Sequence, residues 1–249
     1  MCDSKTCLAS VPSSPRRKFL RETGASAIAV TIGGLLTSKL SVAAEVTVVP
    51  KPENVLSPDD AIKRLMEGNA RYVSGVTRRQ DFAHDRDALI AGQNPYAAVL
   101  SCADSRVAPE FAFDSSRGDL FVTRVAGNVV DDDVLGSLEY AVAVLKVPVI
   151  LVLGHDKCGA VGAAINVVIK GATYPGKIQS LAMTIVPAVN KVKGKAGNLL
   201  DAAIAQNVRN SMADLRSSSM LIREAEGLKK IKIVGGVYRL SDGKVGLLG

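Results

Sequence analysis

The sequence predicts an α/β fold, in which a mostly parallel central sheet is flanked by helices and preceded by an N-terminal helical arm. Two observations support the sheet: apolar runs rich in Val, Ile and Leu, and segments of helical period between them. Four runs are predicted as buried strands, namely YAAVLSCA at 96–103, DLFVTRVAG at 119–127, VPVILVLGH at 147–155 and IKIVGGVYRL at 231–240. The segments between them with helical period are 132–145, 158–170 and 198–227.

The helical arm is predicted from SPDDAIKRLMEGNARYVSG, which begins at Ser57. Ser57 is a helix cap, and two acidic residues follow in the first turn. Apolar and amide side chains then recur at helical spacing, at Ile62, Leu65, Met66, Asn69 and Tyr72. The apolar stripe of this helix needs a surface to cover, and a helix ahead of the core often packs on a partner subunit.

Residues 1–44 have the layout of an export signal. The pair Arg16 and Arg17 precedes an apolar stretch at 25–36, and small residues end the segment at Ala44. The arginine pair resembles the twin-arginine type of signal. A membrane anchor is the alternative, but about a dozen apolar residues fall short of the roughly 20 that span a bilayer. We therefore expect cleavage near Ala44, a periplasmic protein without stable membrane insertion, and a single domain at 45–249.

The charge balance argues against a nucleic-acid partner. The whole chain has a net charge of +7. Removal of residues 1–44 takes away six Lys or Arg and two Asp or Glu, which leaves 25 basic against 22 acidic side chains. The mature chain is therefore not basic enough to predict nucleic-acid binding.

Two cysteines and a histidine follow predicted strands at the same edge of the sheet. Cys102 ends the first strand, His155 ends the third, and Cys158 opens the helix that follows. Ligands of parallel sheets bind at the carboxyl ends of the strands, and thiolate sulfur and imidazole nitrogen are the donors that Zn²⁺ prefers. Three protein ligands match an open, catalytic zinc site.

Two alternatives to a catalytic zinc site remain open from the residues alone. Cys102 and Cys158 could form a disulfide in an oxidising compartment. A closed structural zinc site could also form, with Asp104 or another group as the fourth ligand. Asp104 and Arg106 lie in the turn after Cys102, where a bidentate ion pair would hold the carboxylate ionised and oriented.

CADSR at 102–106 and GHDKCGA at 154–160 strongly resemble the Cys-x-Asp-x-Arg and His-x-x-Cys motifs of the β-class carbonic anhydrases. EGNARYVSG, LFVTRVAGN, SLEYAV and VGGVYRLSDGKV also resemble family segments, so the likeness covers most of residues 57–249.

The resemblance implies a role for each matching residue. Cys102, His155 and Cys158 would bind zinc, and Asp104 with Arg106 would form the catalytic dyad. The remaining matches concern the substrate: Gln93 would orient it, Phe121 and Tyr140 would line its apolar pocket, and Gly159 would let backbone approach the site closely. Phe121 and Tyr140 are equally compatible with ordinary core packing.

The function implied is the reversible hydration of carbon dioxide to bicarbonate and a proton, catalysed by a homodimer or a multiple of dimers. Hydrolysis of carbon disulfide or carbonyl sulfide on the same scaffold is an alternative, because function belongs to the site rather than to the fold. A non-enzymatic exported zinc or thiol protein is the alternative from a different class.

Overall fold

The structure is a computed structural model that describes residues 50–79 and 81–249, so the predicted export signal lies outside the described residues. In this part of the chain five strands form one sheet: β1 (Ala97–Ser101), β2 (Leu120–Arg124), β3 (Val149–His155), β4 (Lys232–Tyr238) and β5 (Val245–Leu248). The order is β2-β1-β3-β4-β5, with β1 to β4 parallel and β5 antiparallel to β4. The predicted mostly parallel α/β fold is confirmed.

Helices cover both faces of the sheet and its carboxyl end. Those in the described residues are α1 (Pro58–Val73), α2 (Phe82–Ala88), α3 (Pro109–Ala112), α4 (Asp132–Ala143), α5 (Gly159–Lys170), α6 (Lys177–Val192), α7 (Leu199–Ser218) and α8 (Met220–Gly227). One apolar cluster joins the sheet to α4, α7 and α8, and another joins it to α1 and α3. A third cluster lies among α5, α6 and α7 and includes Cys102 and Cys158.

Helix α1 covers this chain's own sheet. The Ser57 hydroxyl caps it by accepting a hydrogen bond from the Asp60 N–H, 3.2 Å away. Ala61 and Leu65 are buried in the same apolar cluster as Val99 of β1. The stripe that we expected to need a partner is therefore largely covered within one chain, and α1 by itself is no evidence for a dimer.

Asn69 joins α1 to the end of the chain. Its side-chain amide donates to the carbonyls of Ala112 and Gly243, at 2.9 and 2.8 Å, and its oxygen accepts from the Val245 N–H at 2.9 Å. The preceding residue, Gly68, lies so close to α3 that a Cβ there would be 1.9 Å from the Phe113 carbonyl oxygen. Asn69 thus fixes α1 against α3 and the hairpin of β4 and β5, and Gly68 allows the close approach to α3.

The helices differ from the sequence prediction both in a break and in their number. The single helix predicted at 198–227 is broken at Ser219, whose hydroxyl accepts from the Ile222 N–H and donates to Glu139. Helices α2, α3 and α6 were not predicted, and α6 has a proline, Pro187, in its interior.

No helix within residues 50–79 and 81–249 has both the length and the apolar character that crossing a membrane requires.

Candidate active site

Cys102, His155 and Cys158 meet at the carboxyl ends of β1 and β3. These two strands are adjacent and parallel, so Cys102, which follows β1, lies beside His155, which ends β3. Cys158 occupies the cap position of α5. The two sulfurs and a ring nitrogen of His155 lie within 4.8 Å of one another, and all three side chains are buried. The structure thus brings together the three residues predicted as metal ligands.

The imidazole of His155 is oriented by its own turn. Its Nδ1 lies 2.8 Å from the Asp156 carbonyl oxygen, which places the ring proton on Nδ1. Among the described residues, Nε2 has no hydrogen-bond partner although it is buried. Burying a polar atom without a hydrogen-bond partner or a metal ion costs free energy. A metal ion between Nε2 and the two sulfurs would satisfy it, so the donor set fits zinc.

The surroundings of the two sulfurs favour a thiolate, which is the form of cysteine that binds a metal cation. Both cysteines are free thiols, so the structure does not contain the alternative disulfide. A hydrogen bond with Cys158 is the largest cause that lowers the pKa of Cys102 to about 4, and the Gly127 N–H adds to it. The same hydrogen bond, together with burial, raises the pKa of Cys158. One thiolate therefore forms readily in this pair, and a bound cation favours the second.

Asp104 and Arg106 form the predicted bidentate ion pair. The Arg106 Nε donates to Asp104 Oδ1 at 2.9 Å, and its Nη2 donates to Oδ2 at 2.7 Å. These bonds lower the pKa of Asp104, so the carboxylate is ionised at neutral pH. Oδ2 lies 3.8 Å from His155 Nε2, at the rim of the candidate metal position. Because Arg106 engages both oxygens, this geometry argues against Asp104 as a fourth ligand.

The structure places Gln93, Phe121 and Tyr140 at the opposite end of the strands. Gln93 precedes β1, Phe121 lies near the start of β2 opposite Ala98, and Tyr140 lies near the end of α4, which runs back toward the start of β3. The rings of Phe121 and Tyr140 are 6.2 Å apart, and Tyr140 is 46% exposed, so it is not a core residue. Gln93 and Tyr140 line one shallow groove.

A five-residue strand is about 17 Å long, so one chain does not bring these three side chains to the cysteines and histidine. Gly159 is at the site, as the first residue of α5, but a Cβ there would meet no atom of the described residues within 4 Å. The roles predicted for these four residues remain predictions.

Two residues that hydrogen-bond to the residues of the site, Arg124 and Gly127, were not predicted from the sequence. The Arg124 guanidinium donates to the carbonyls of Cys102 and Asp104, at 3.1 and 2.7 Å, and thereby holds the turn that carries both side chains. The Gly127 N–H donates to the Cys102 sulfur at 3.3 Å. The glycine and the arginine are visible in TRVAGN, but nothing in that segment shows where they point.

Comparisons with known proteins agree with this geometry. The sequence profile of the family described as "Carbonic anhydrase" matches residues 97–245. A carbonic anhydrase of Mycolicibacterium smegmatis is 41% identical over 192 residues, which cover 77% of this chain and 93% of that protein. Carbonic anhydrase 2 of Mycobacterium tuberculosis is 42% identical over 189 residues, which cover 76% of this chain and 91% of that protein.

Solved structures give the class. The β-carbonic anhydrase CcaA has a TM-score of 0.61 and 26% identity, with 76% of this chain and 95% of that chain covered. A Coccomyxa β-carbonic anhydrase in complex with acetazolamide has a TM-score of 0.57 and 25% identity, with 76% and 82% covered. With the sequence profile, the relatives and the fold all in agreement, the chain belongs to the carbonic anhydrase family, in its β class.

Proposed function

We propose that the protein catalyses the reversible hydration of carbon dioxide to bicarbonate and a proton, with a zinc ion held by Cys102, His155 and Cys158. The observation that carries the proposal is the buried cluster of two sulfurs and an unpartnered imidazole nitrogen within 4.8 Å of one another. The names of the relatives support the reaction, and the donor set supports zinc rather than a hard cation such as magnesium.

The side chains around the cluster have separate tasks in this reaction. When bound, zinc supplies a Lewis acid that makes water nucleophilic at neutral pH. Asp104 Oδ2 accepts a hydrogen bond from the attacking water and so directs a lone pair of that water at carbon dioxide. Arg106 keeps the carboxylate ionised and fixed in direction. Arg124 holds the turn on which Asp104 lies.

We further propose a homodimer, or a multiple of dimers, formed through β2. In the described part of the chain β2 hydrogen-bonds only to β1, so its other edge is open. Its residues LFVTR contain no proline, and they carry one charge, so little prevents pairing with another strand. A second copy is the natural partner of such an edge.

A two-fold axis through β2 would also complete the site. It pairs the two β2 strands antiparallel, so the start of the partner's strand lies beside the end of this one. The groups at that end of the partner's sheet, Gln93, Phe121 and Tyr140, then come to the edge of the sheet that holds this chain's Cys102. In this arrangement their predicted substrate role is compatible with the structure.

Stopped-flow hydration of carbon dioxide by purified, metal-analysed protein tests the function. We expect about one zinc per chain, rapid hydration, and loss of that activity on chelation with recovery on readdition of zinc. Acetazolamide, which the Coccomyxa structure contains, is expected to inhibit. Zinc without hydration, but with release of sulfide from carbon disulfide or carbonyl sulfide, would favour the alternative substrates. Absence of zinc together with an oxidised Cys102–Cys158 pair would favour a thiol protein.

We propose that the protein is exported to the periplasm by the twin-arginine route. The proposal is supported by the sequence at 1–44, with Arg16 and Arg17 ahead of the apolar stretch. Replacing both arginines by lysine in the full chain should leave the protein in the cytoplasm, whereas the unchanged chain reaches the periplasm. Cell fractionation with an immunoblot measures this. Equal periplasmic amounts of the two proteins would contradict the route.

A further inference from the structure

The hydrogen bond from Gly127 to the Cys102 sulfur depends on an unusual backbone position. Gly127 lies in the 3-10 turn Ala126–Asn128 and has a φ of 75°, in the left-handed region. A Cβ at this residue would lie 2.6 Å from Ile185 Cδ1 and 3.2 Å from Ala160 Cβ. Glycine is therefore required both by the backbone angle and by the packing of α5 and α6.

Two buried polar side chains of α7 hold this turn. The Asn207 amide donates to the Gly127 carbonyl at 2.7 Å, and the Ser211 hydroxyl donates to the Asn128 carbonyl at 2.9 Å. Asn207 is 3% exposed and Ser211 is 2% exposed. They are four residues apart and so lie on the same face of the helix, both directed at the turn. Burying a polar side chain is costly unless it is hydrogen-bonded, so the turn is favoured in the position where it accepts both of these hydrogen bonds.

We propose that Asn207 is a positioning residue for the metal centre. By fixing the Gly127 carbonyl, it holds the left-handed backbone that keeps the Gly127 N–H on the Cys102 sulfur. That hydrogen bond stabilises negative charge on the sulfur and so sets how strongly this ligand donates to the metal. The inference rests on the proposed function in taking Cys102 as a metal ligand.

Cobalt(II) in place of zinc provides a direct readout, because its sulfur-to-metal charge-transfer band reports the charge on the ligand sulfur. In Asn207→Ala the turn relaxes, the N–H···S hydrogen bond weakens, and the band is expected to move to lower energy. Affinity for the metal, measured by competition with a chromogenic chelator, is expected to fall about 10- to 100-fold.

The matched control is Asn210→Ala, which replaces the same residue type one turn further along α7. The Asn210 side chain accepts from Lys191 and Gln206, away from the cysteines. Its spectrum and metal affinity are expected to equal those of the unchanged protein.

Folded Asn207→Ala with an unshifted band and unchanged affinity would overturn the proposal. Should Asn207→Ala fail to fold, Ser211→Ala removes the second donor to the same turn and is expected to give the same shift at smaller size; no shift there would equally overturn it. Unchanged protein that binds no cobalt through sulfur would overturn the metal site itself, and the proposed function with it.

Discussion

Replacing Arg106 by alanine is expected to lower carbon dioxide hydration by on the order of 100-fold while zinc stays bound. The guanidinium donates to both oxygens of Asp104, and the Arg106 N–H adds a third bond at 3.0 Å. Without the guanidinium the carboxylate is free to turn toward the metal position, since Oδ2 already lies 3.8 Å from His155 Nε2. There it would compete with the water that must attack carbon dioxide.

Stopped-flow hydration together with metal analysis of the same samples measures this effect. Arg106→Lys keeps the charge but not the bidentate geometry, so intermediate activity is expected. Arg209→Ala, which changes an exposed arginine of α7, is the control for loss of a positive charge and should retain full activity. Activity of Arg106→Ala within a few-fold of the unchanged protein, or loss of zinc in parallel with activity, would contradict the assigned role.

Two inactive variants are expected to restore activity when they share a dimer. One chain carries His155→Ala and cannot hold the metal. The other carries Gln93→Ala and Tyr140→Ala, which remove side chains that lie at the far end of the strands from its own cysteines. If each site combines the metal ligands of one chain with the groove residues of its partner, a heterodimer contains one intact site. Its activity should be about half that of the unchanged dimer.

Heterodimers purified through two different affinity tags, and assayed by stopped flow, provide the measurement. The control heterodimer combines His155→Ala in one chain with Arg106→Ala in the other. Both changes lie in the same half of the site, so neither site is intact and no recovery is expected. An inactive first heterodimer of confirmed composition would show that Gln93 and Tyr140 do not act across the interface.

The fold could be predicted from the sequence because its central strands, β1 and β3, are buried on both faces. All four predicted strands are present, shortened at the ends, and β3 is buried along its whole length. The helices were less predictable where tertiary contacts decide them. Ser219 ends one helix and caps the next with the help of Glu139, 80 residues earlier. Helix α6 keeps Pro187 in its interior, a residue that normally argues against a helix.

The part of the candidate site that lies within short sequence motifs could be predicted. Within CADSR, and likewise within HDKC, the site residues are only a few positions apart, so the spacing inside each motif was informative. The contacts of Gly127 with Asn207 span 80 residues, and no local pattern encodes them. The substrate residues were placed by resemblance, which names residues but not the chain that supplies them.

The hydrogen bonds of Asn69 have a consequence for how the chain folds during synthesis. This residue lies in α1, but two of its partners, Gly243 and Val245, follow it by 174 and 176 residues in the chain. Until these two residues emerge, the buried Asn69 side chain has only the Ala112 carbonyl as its partner, so α1 cannot dock completely. The core should therefore close only after β5 has been synthesised, and a chain that stops before Gly243 should expose α1 and be degraded.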